Sequence, residues 1–269
     1  MKLIKKFLGA TYIKIIDGIN LVAYYASGVE LNNTRKLRSL KNYYKGKQFF
    51  VVCNGPSLSP DDLTQISKAN FISIGMNHIA RIYENTPWRV DFLMVTDNSC
   101  YKGKHAKMVK ECYAKYKIFS KKQFIKSLSF KGDKIYETIN GSRKLLDHPE
   151  FSEDLSKVVF AIGTTAYESI EWARYLGAEV IYLIGCDMSY AVNANRDGSI
   201  YYNTSGSSHF YGKEKEDLSK ITPVQTWEQK VAHIAAEKYS RSHGFRIYNA
   251  TRGGCLQEYE RVDFDELIK

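Results

Sequence analysis

Residues 49–58 read FFVVCNGPSL, and this stretch constrains the fold more than any other. Four consecutive apolar residues, with β-branched Val51 and Val52, suit a strand covered on both faces. Asn54, Gly55 and Pro56 then force the chain out of it. Ser57 or Ser59 can cap the next element, and Pro60 fits the first turn of a helix carrying Asp61 and Asp62. A strand, a tight glycine turn and a helix start make a place for a nucleotide or another anionic ligand. The plainer alternative is an ordinary strand-to-helix connection.

The remaining apolar runs repeat the pattern. Phe71–Gly75, Phe92–Thr96, Lys117–Phe119, Ile135–Thr138, Val158–Ile162, Val180–Ile184 and Phe245–Tyr248 read as further strands, alternating with helix-like segments. Thr164 can cap a helix that runs to Leu176 and ends at Gly177, which leads directly into EVIYLIG. This is a βαβ unit, and a helical pattern resumes over 223–243. Residues 189–222 are polar and rich in Gly and Ser with little periodicity, as expected of a lid. The expected fold class is therefore α/β, one domain over 46–269 with a mostly parallel central sheet and an inserted lid at about 189–222.

Ahead of it lies a basic amphipathic helical leader, residues 1–45. Residues 1–47 hold ten Lys or Arg against Asp17 and Glu30, so +8 of the chain's +10 net charge sits there. Leu3, Phe7, Ile15, Ile19 and Val22 recur at roughly helical spacing, so the segment can lie in the interface of an anionic membrane. It is too often interrupted by charge to span one, since the longest uncharged run is Gly18 to Val29. The alternatives are that it packs on the body or mediates homo-oligomerisation. No zinc-finger, helix-turn-helix or RNA-binding signature stands out, which argues against nucleic acid as a partner. Five scattered cysteines with no C-x-x-C pair argue against a disulfide framework or a structural zinc site and fit a reducing cytoplasm.

In open parallel sheets, ligands lie beyond the carboxyl ends of the strands. The residues just after each apolar run are polar: Asn54 and Ser57, Asn77 and His78, Asp97 and Asn98, Thr164 and Thr165, Asp187 and Tyr190, Asn249 and Thr251. One crevice is expected to collect them. No P-loop or G-x-G-x-x-G is present and no D-x-D stands out near the expected strand ends, so neither a bound cofactor nor a metal is expected. His78 and His209 stand in the exits or the lid, whereas His105, His148, His233 and His243 read as helix or surface positions. A histidine near neutral pKa can take a proton from an attacking hydroxyl.

The pattern resembles the small bacterial sialyltransferases that decorate lipooligosaccharide, and a related group of domains from surface-glycan loci, flagellin-glycosylating motility accessory factors and an MptE-like pterin diphosphokinase. Asn54–Leu58 is similar to the first nucleotide-binding turn of the sialyltransferases, Asn77 to an asparagine after their second strand, and Thr164-Thr165 to a Thr-Ser pair before a helix. EVIYLIGCDMSY resembles their strand ending in Gly-x-Asp. DGSIYY and Ser208-His209 with Gly212 resemble the two ends of their lid.

The resemblance implies a single Rossmann-like domain transferring a sugar from a CMP-activated acidic donor to a lipid-linked or surface glycan, without a metal, by inverting displacement. It places the protein at the inner face of a bacterial cytoplasmic membrane. Asn54, Gly55, Ser57, Asn77, Asp97, Thr164, Thr165 and Asp187 would bind or border the donor, Tyr190 and Tyr201 would steady the leaving phosphate, and His209 would be the base. Lys213 stands where the family has its catalytic histidine, and Ile162 where it has an arginine. The diphosphokinase alternative would instead use Asp97 and Asp187 as metal carboxylates, and a third is a non-catalytic scaffold in a glycan-assembly complex.

Overall fold

The computed structural model describes residues 22, 30–69, 71–121, 134–141, 146, 149–203, 207–212, 218 and 221–269. The strands are β1 (Gln48–Val52), β2 (Ile72–Met76), β3 (Phe92–Val95), β4 (Tyr116–Lys121), β5 (Ile135–Gly141), β6 (Val159–Phe160), β7 (Val180–Ile184), β8 (Val192–Ala194), β9 (Ile200–Tyr202), β10 (Arg246–Asn249) and β11 (Glu260–Arg261). The helices are α1 (Glu30–Leu40), α2 (Pro60–Lys68), α3 (Gly103–Glu111), α4 (Thr165–Leu176), α5 (Thr226–Ser242) and α6 (Phe264–Leu267). Nine strands form one sheet in the order β11-β10-β7-β1-β2-β3-β4-β5-β6, and every described ladder in it is parallel.

That order reverses at β1. From β1 the chain winds outward one way to β6, then returns to place β7 on the other side of β1 and winds outward again. The loops leaving β1 and β7 therefore part to opposite sides, and a crevice opens between them.

Alternation along β1 explains why its apolar run is unbroken. Phe49, Val51 and Cys53 face a core shared with Tyr167, Ile170 and Trp172 of α4 and Ala232 and Ala236 of α5. Phe50 and Val52 face a second core with Leu63 and Ile66 of α2, Trp88, Val109 of α3 and Phe264 of α6. A strand buried on both faces has no polar side to display. Three short features escaped the sequence reading: β11, two residues at the sheet edge, the four-residue α6, and the β8–β9 hairpin inside the expected lid. Asp197-Gly198 is a hairpin-turn pair, and the Asp197 carboxylate accepts from both the amide and the hydroxyl of Ser199 at 2.9 and 2.7 Å.

Of the leader, residues 1–21 and 23–29 lie outside the described residues, as do Lys213 and His148. Its last third belongs to the body. Leu37 and Leu40 are buried in the first core, the Tyr175 phenol donates to the Leu37 carbonyl at 3.2 Å, and the Asn42 and Tyr44 amides donate to the carbonyls of Tyr175 and Leu176. The domain boundary expected at 45/46 therefore falls inside a packed region. Among the described residues, no helix is long and apolar enough to cross a membrane.

A chain starting at Glu30 is expected to keep its unfolding midpoint in urea while losing affinity for anionic vesicles. One starting at residue 45 also loses the Leu37 and Leu40 packing and should be less stable by at least about 3 kcal/mol. Unchanged vesicle binding by the first variant would remove residues 1–29 as the membrane contact.

Candidate functional site

A cavity of about 170 Å³ sits at the reversal point. Asn54 and Gly55 from the β1 exit, Asn77 from the β2 exit, Thr164 and Thr165 at the start of α4, Asp187 and Tyr190 after β7, and His209 all line it. These are eight of the eleven expected site residues. Ser57 reaches the cavity only through Asp187, to which its hydroxyl donates at 2.8 Å.

The turn after β1 is closed by a contact only glycine permits. A Cβ on Gly55 would fall 1.9 Å from Asp187 Oδ2 and 2.5 Å from the Gly185 carbonyl oxygen. The Gly55 amide donates to that carbonyl at 2.8 Å, so the β1 and β7 exits are bonded backbone to backbone. Gly185 itself has φ +65°, a conformation glycine adopts without steric cost. Burial raises the Asp187 pKa above the usual carboxylate range, and the two hydrogen bonds from Ser57 oppose that shift.

The N-terminus of α4 forms the opposite wall. Thr164 caps it, accepting from the Ala166 amide at 3.2 Å. Thr165 is tied in turn to the strand ends: Asn77 Nδ2 donates to its hydroxyl at 3.2 Å, and that hydroxyl lies 2.6 Å from Thr96 Oγ1. Asn77 Oδ1 accepts from the amides of Thr96 and Asp97 at 3.0 and 3.1 Å. The Asn77 side chain is thus committed to protein groups and fixes the helix start, and its φ of +50° is strain stored beside the cavity. The positive end of α4 faces the space where an anion would lie.

Residues 207–212 run along the rim. The Phe210 amide donates to the Asn54 carbonyl at 3.0 Å, and the Ala191 amide to Ser208 Oγ at 3.1 Å, which seats Ser208 and His209 at the rim. The His209 ring stacks on Tyr211, centroids 4.9 Å apart, while the Arg81 guanidinium covers Tyr211 at 4.3 Å. Asn54 Nδ2 donates to the Met76 carbonyl at 3.0 Å, and its buried Oδ1 meets no hydrogen-bond donor among the described residues. Such an orphan acceptor costs about 1–3 kcal/mol, which a ligand O–H or N–H could recover.

Two expected residues stand elsewhere. Asp97 is exposed and accepts from the Ser99 amide at 2.8 Å, capping the short 3-10 turn Asn98–Tyr101 outside the cavity. Tyr201 lines a neighbouring chamber, its hydroxyl 3.5 Å from Thr226 Oγ1. Of the other polar exits, Asn249 and Thr251 are buried supports: the Cys186 amide donates to Thr251 Oγ1 at 3.0 Å. Tyr190 keeps its phenol proton, since burial raises its pKa, and it donates to Gln229 Oε1 at 3.1 Å.

Sequence reasoning passed over the floor of the site. Cys53, Cys186, Gln229 and His233 all line the cavity. His233, read as a helix or surface position, is fully buried, with Nδ1 2.8 Å from the Tyr259 hydroxyl. Gln229 and His233 are four residues apart on α5, interleaved with Ala232 and Ala236, and that stripe of small residues was the available signal of a buried face. The Cys53 and Cys186 thiols share a hydrogen bond that holds the Cys186 pKa down and pushes that of Cys53 up. Among the described residues, no cluster of three or more His, Cys, Asp or Glu is arranged to hold a metal ion.

Gly55→Ala is expected to abolish ligand-induced stabilisation and to lower the unfolding free energy by about 2 kcal/mol or more, read by thermal and urea denaturation. A variant as stable and ligand-responsive as the parent would show that the two exits need not touch. His78 contributes a pH dependence of its own. Burial, with Arg81 and His105 adding repulsion and Asp97 opposing, lowers its pKa from 6.5 to about 4. Between those values the unfolded chain binds the extra proton, so this contribution to stability is complete above pH 6.5 and is lost as pH falls towards 4. His78→Gln should flatten the melting temperature over that window, and an unchanged slope would assign the acid sensitivity elsewhere.

Residues 25–193 match the family described as 6-hydroxymethylpterin diphosphokinase MptE-like, and the chain belongs to that family. Among solved structures it is similar to the Maf glycosyltransferase from Magnetospirillum magneticum AMB-1, at 16% identity over 88% of this chain with a TM-score of 0.48. The match spans only 39% of that glycosyltransferase. It is also similar to the sialyltransferase CstII from Campylobacter jejuni, solved with cytidine-5'-monophosphate, at 15% identity, 81% of this chain, 85% of that one and a TM-score of 0.48. No curated protein matches the chain.

Proposed function

We propose that the protein is a glycosyltransferase that moves an acidic sugar from a CMP-activated donor to a glycan acceptor, without a metal and with inversion. The observation that carries this reading is the lining of the cavity. Among the described residues it contains no lysine or arginine, one carboxylate and the start of one helix. A triphosphate brings several negative charges and needs cations to meet them. The single phosphodiester of a CMP-sugar needs far less, and a helix N-terminus with nearby hydroxyls and amides suits it.

In this reading the Thr164–Ala166 turn receives the phosphate or the donor carboxylate, and Asn54 takes a polar edge of the nucleotide on its unpaired Oδ1. The acceptor hydroxyl attacks the anomeric carbon as the bond from that carbon to the phosphate oxygen breaks and CMP leaves. His209 takes the proton that the hydroxyl loses. Tyr190, kept protonated, turns its O–H from Gln229 towards the leaving phosphate. Tyr201 stands too far to one side for that task.

The family description favours a second reading, pterin diphosphoryl transfer from a nucleoside triphosphate. That reaction places its carboxylates around shared metal ions. The two carboxylates expected to serve it, Asp187 and Asp97, lie one inside the cavity and one outside.

Thermal denaturation with nucleotides separates the two. CMP is expected to raise the melting temperature without magnesium, and stabilisation by ATP with magnesium alone would favour the diphosphokinase. Asn54→Ala should weaken CMP binding about tenfold. His209→Ala should abolish transfer with CMP affinity nearly unchanged, and retained turnover would remove His209 as the base.

A further inference from the structure

We propose that the chamber next to the cavity seats the terminal sugar of the acceptor, held chiefly by Tyr202 and Trp227. The inference rests on the transferase reading and deepens it. The chamber measures about 600 Å³ and shares Met188, Ser189 and Tyr190 with the cavity as a common wall. A transfer reaction needs two substrates to meet at one bond. With the activated donor on one side of Tyr190, the nucleophile must arrive from the other.

The chemistry of the chamber selects a carbohydrate. Ile200, Tyr201 and Tyr202 are consecutive on β9 and 52%, 44% and 55% exposed, an unusual run of large apolar side chains left in water. Trp227, in the first turn of α5, joins both tyrosines in the lining. Arg196 lies over the indole, 5.4 Å from its centroid, and fixes the ring between the hairpin and the helix. Flat aromatic faces take the C–H faces of sugar rings, and side-chain amides take their hydroxyls. Asn193 and Asn203 supply such amides, the first anchored by its Nδ2 donating to the Tyr190 carbonyl at 2.8 Å. The one lysine of the lining among the described residues, Lys230, lies 3.3 Å from Glu258 Oε1 and is already compensated. A neutral, hydroxyl-rich ring fits this lining better than a phosphate does.

Saturation-transfer NMR on the full chain tests the assignment, with lactose, N,N′-diacetylchitobiose and 3′-sialyllactose as probes at millimolar concentration. At least one saccharide is expected to receive saturation, with the signal reduced about tenfold or more in Trp227→Ala and in Tyr202→Ala, the latter an exposed position whose truncation leaves the core intact. Both variants should keep the CMP-induced thermal shift of the parent. Saturation of none of the three, or equal saturation in parent and variants, overturns the proposal. If CMP fails to stabilise the parent while saccharide binding disappears in the variants, the donor reading falls and the sugar chamber stands.

Discussion

The Asp187 carboxylate occupies the volume in which any side chain on residue 55 would have to lie, and the site is organised around that contact. It joins the exit of β1 to the exit of β7 at the one place in the sheet where neighbouring strands send their chains to opposite sides. The backbone bond from Gly55 to Gly185 and the Ser57 hydroxyl on Asp187 then fix the two turns as one wall. A larger residue at 55 would part them. The positive-φ backbone of Asn77 and Met188, both on the cavity lining, is held against its own preference by the same packing.

The electrostatics of the site reflect the makeup of its walls. Among the described residues, charge is handled by dipoles and shared protons rather than by full cations: a helix start, a hydrogen-bonded thiol pair, a buried phenol and a carboxylate pushed towards its neutral form. The charged side chain of Arg81 stays at the rim, over Tyr211, and helps keep His78 neutral. Such a cavity discriminates by the net charge of its occupant, because each extra anionic group must be desolvated against walls that return little.

Much of this was legible in the sequence, for reasons of pattern length. The strand positions could be read because a doubly covered strand has no polar alternation, so FFVV and VIYLI cannot easily be anything else. Asn54, Gly55, Thr164 and Asp187 could be read because strand ends in a parallel sheet share one edge. His233 and Gln229 could not, since their burial depends on α5 packing beside α4 on one face of the sheet, a tertiary event with only two alanines to signal it. Asp97 misled because a strand-end carboxylate that caps its own turn looks, in sequence, like one that faces a ligand. Residues 189–203 looked unstructured because the β8–β9 hairpin is only three residues long on each side and pairs partly with Val224, far away in the chain.

The bond between Ser57 and Asp187 spans 130 residues of chain, and this has a temporal meaning. As the polypeptide is synthesised, β1 gains β2 within moments, while its other flank waits until more than half of the protein has been made. The nascent chain therefore carries an open, strongly apolar strand edge throughout that interval. Pairing across so long a separation is slow to nucleate, so the last neighbour to dock on β1 is also the one that completes the pocket. A ligand that bridges the two turns would act as a clasp, favouring the closed pocket over the open edge.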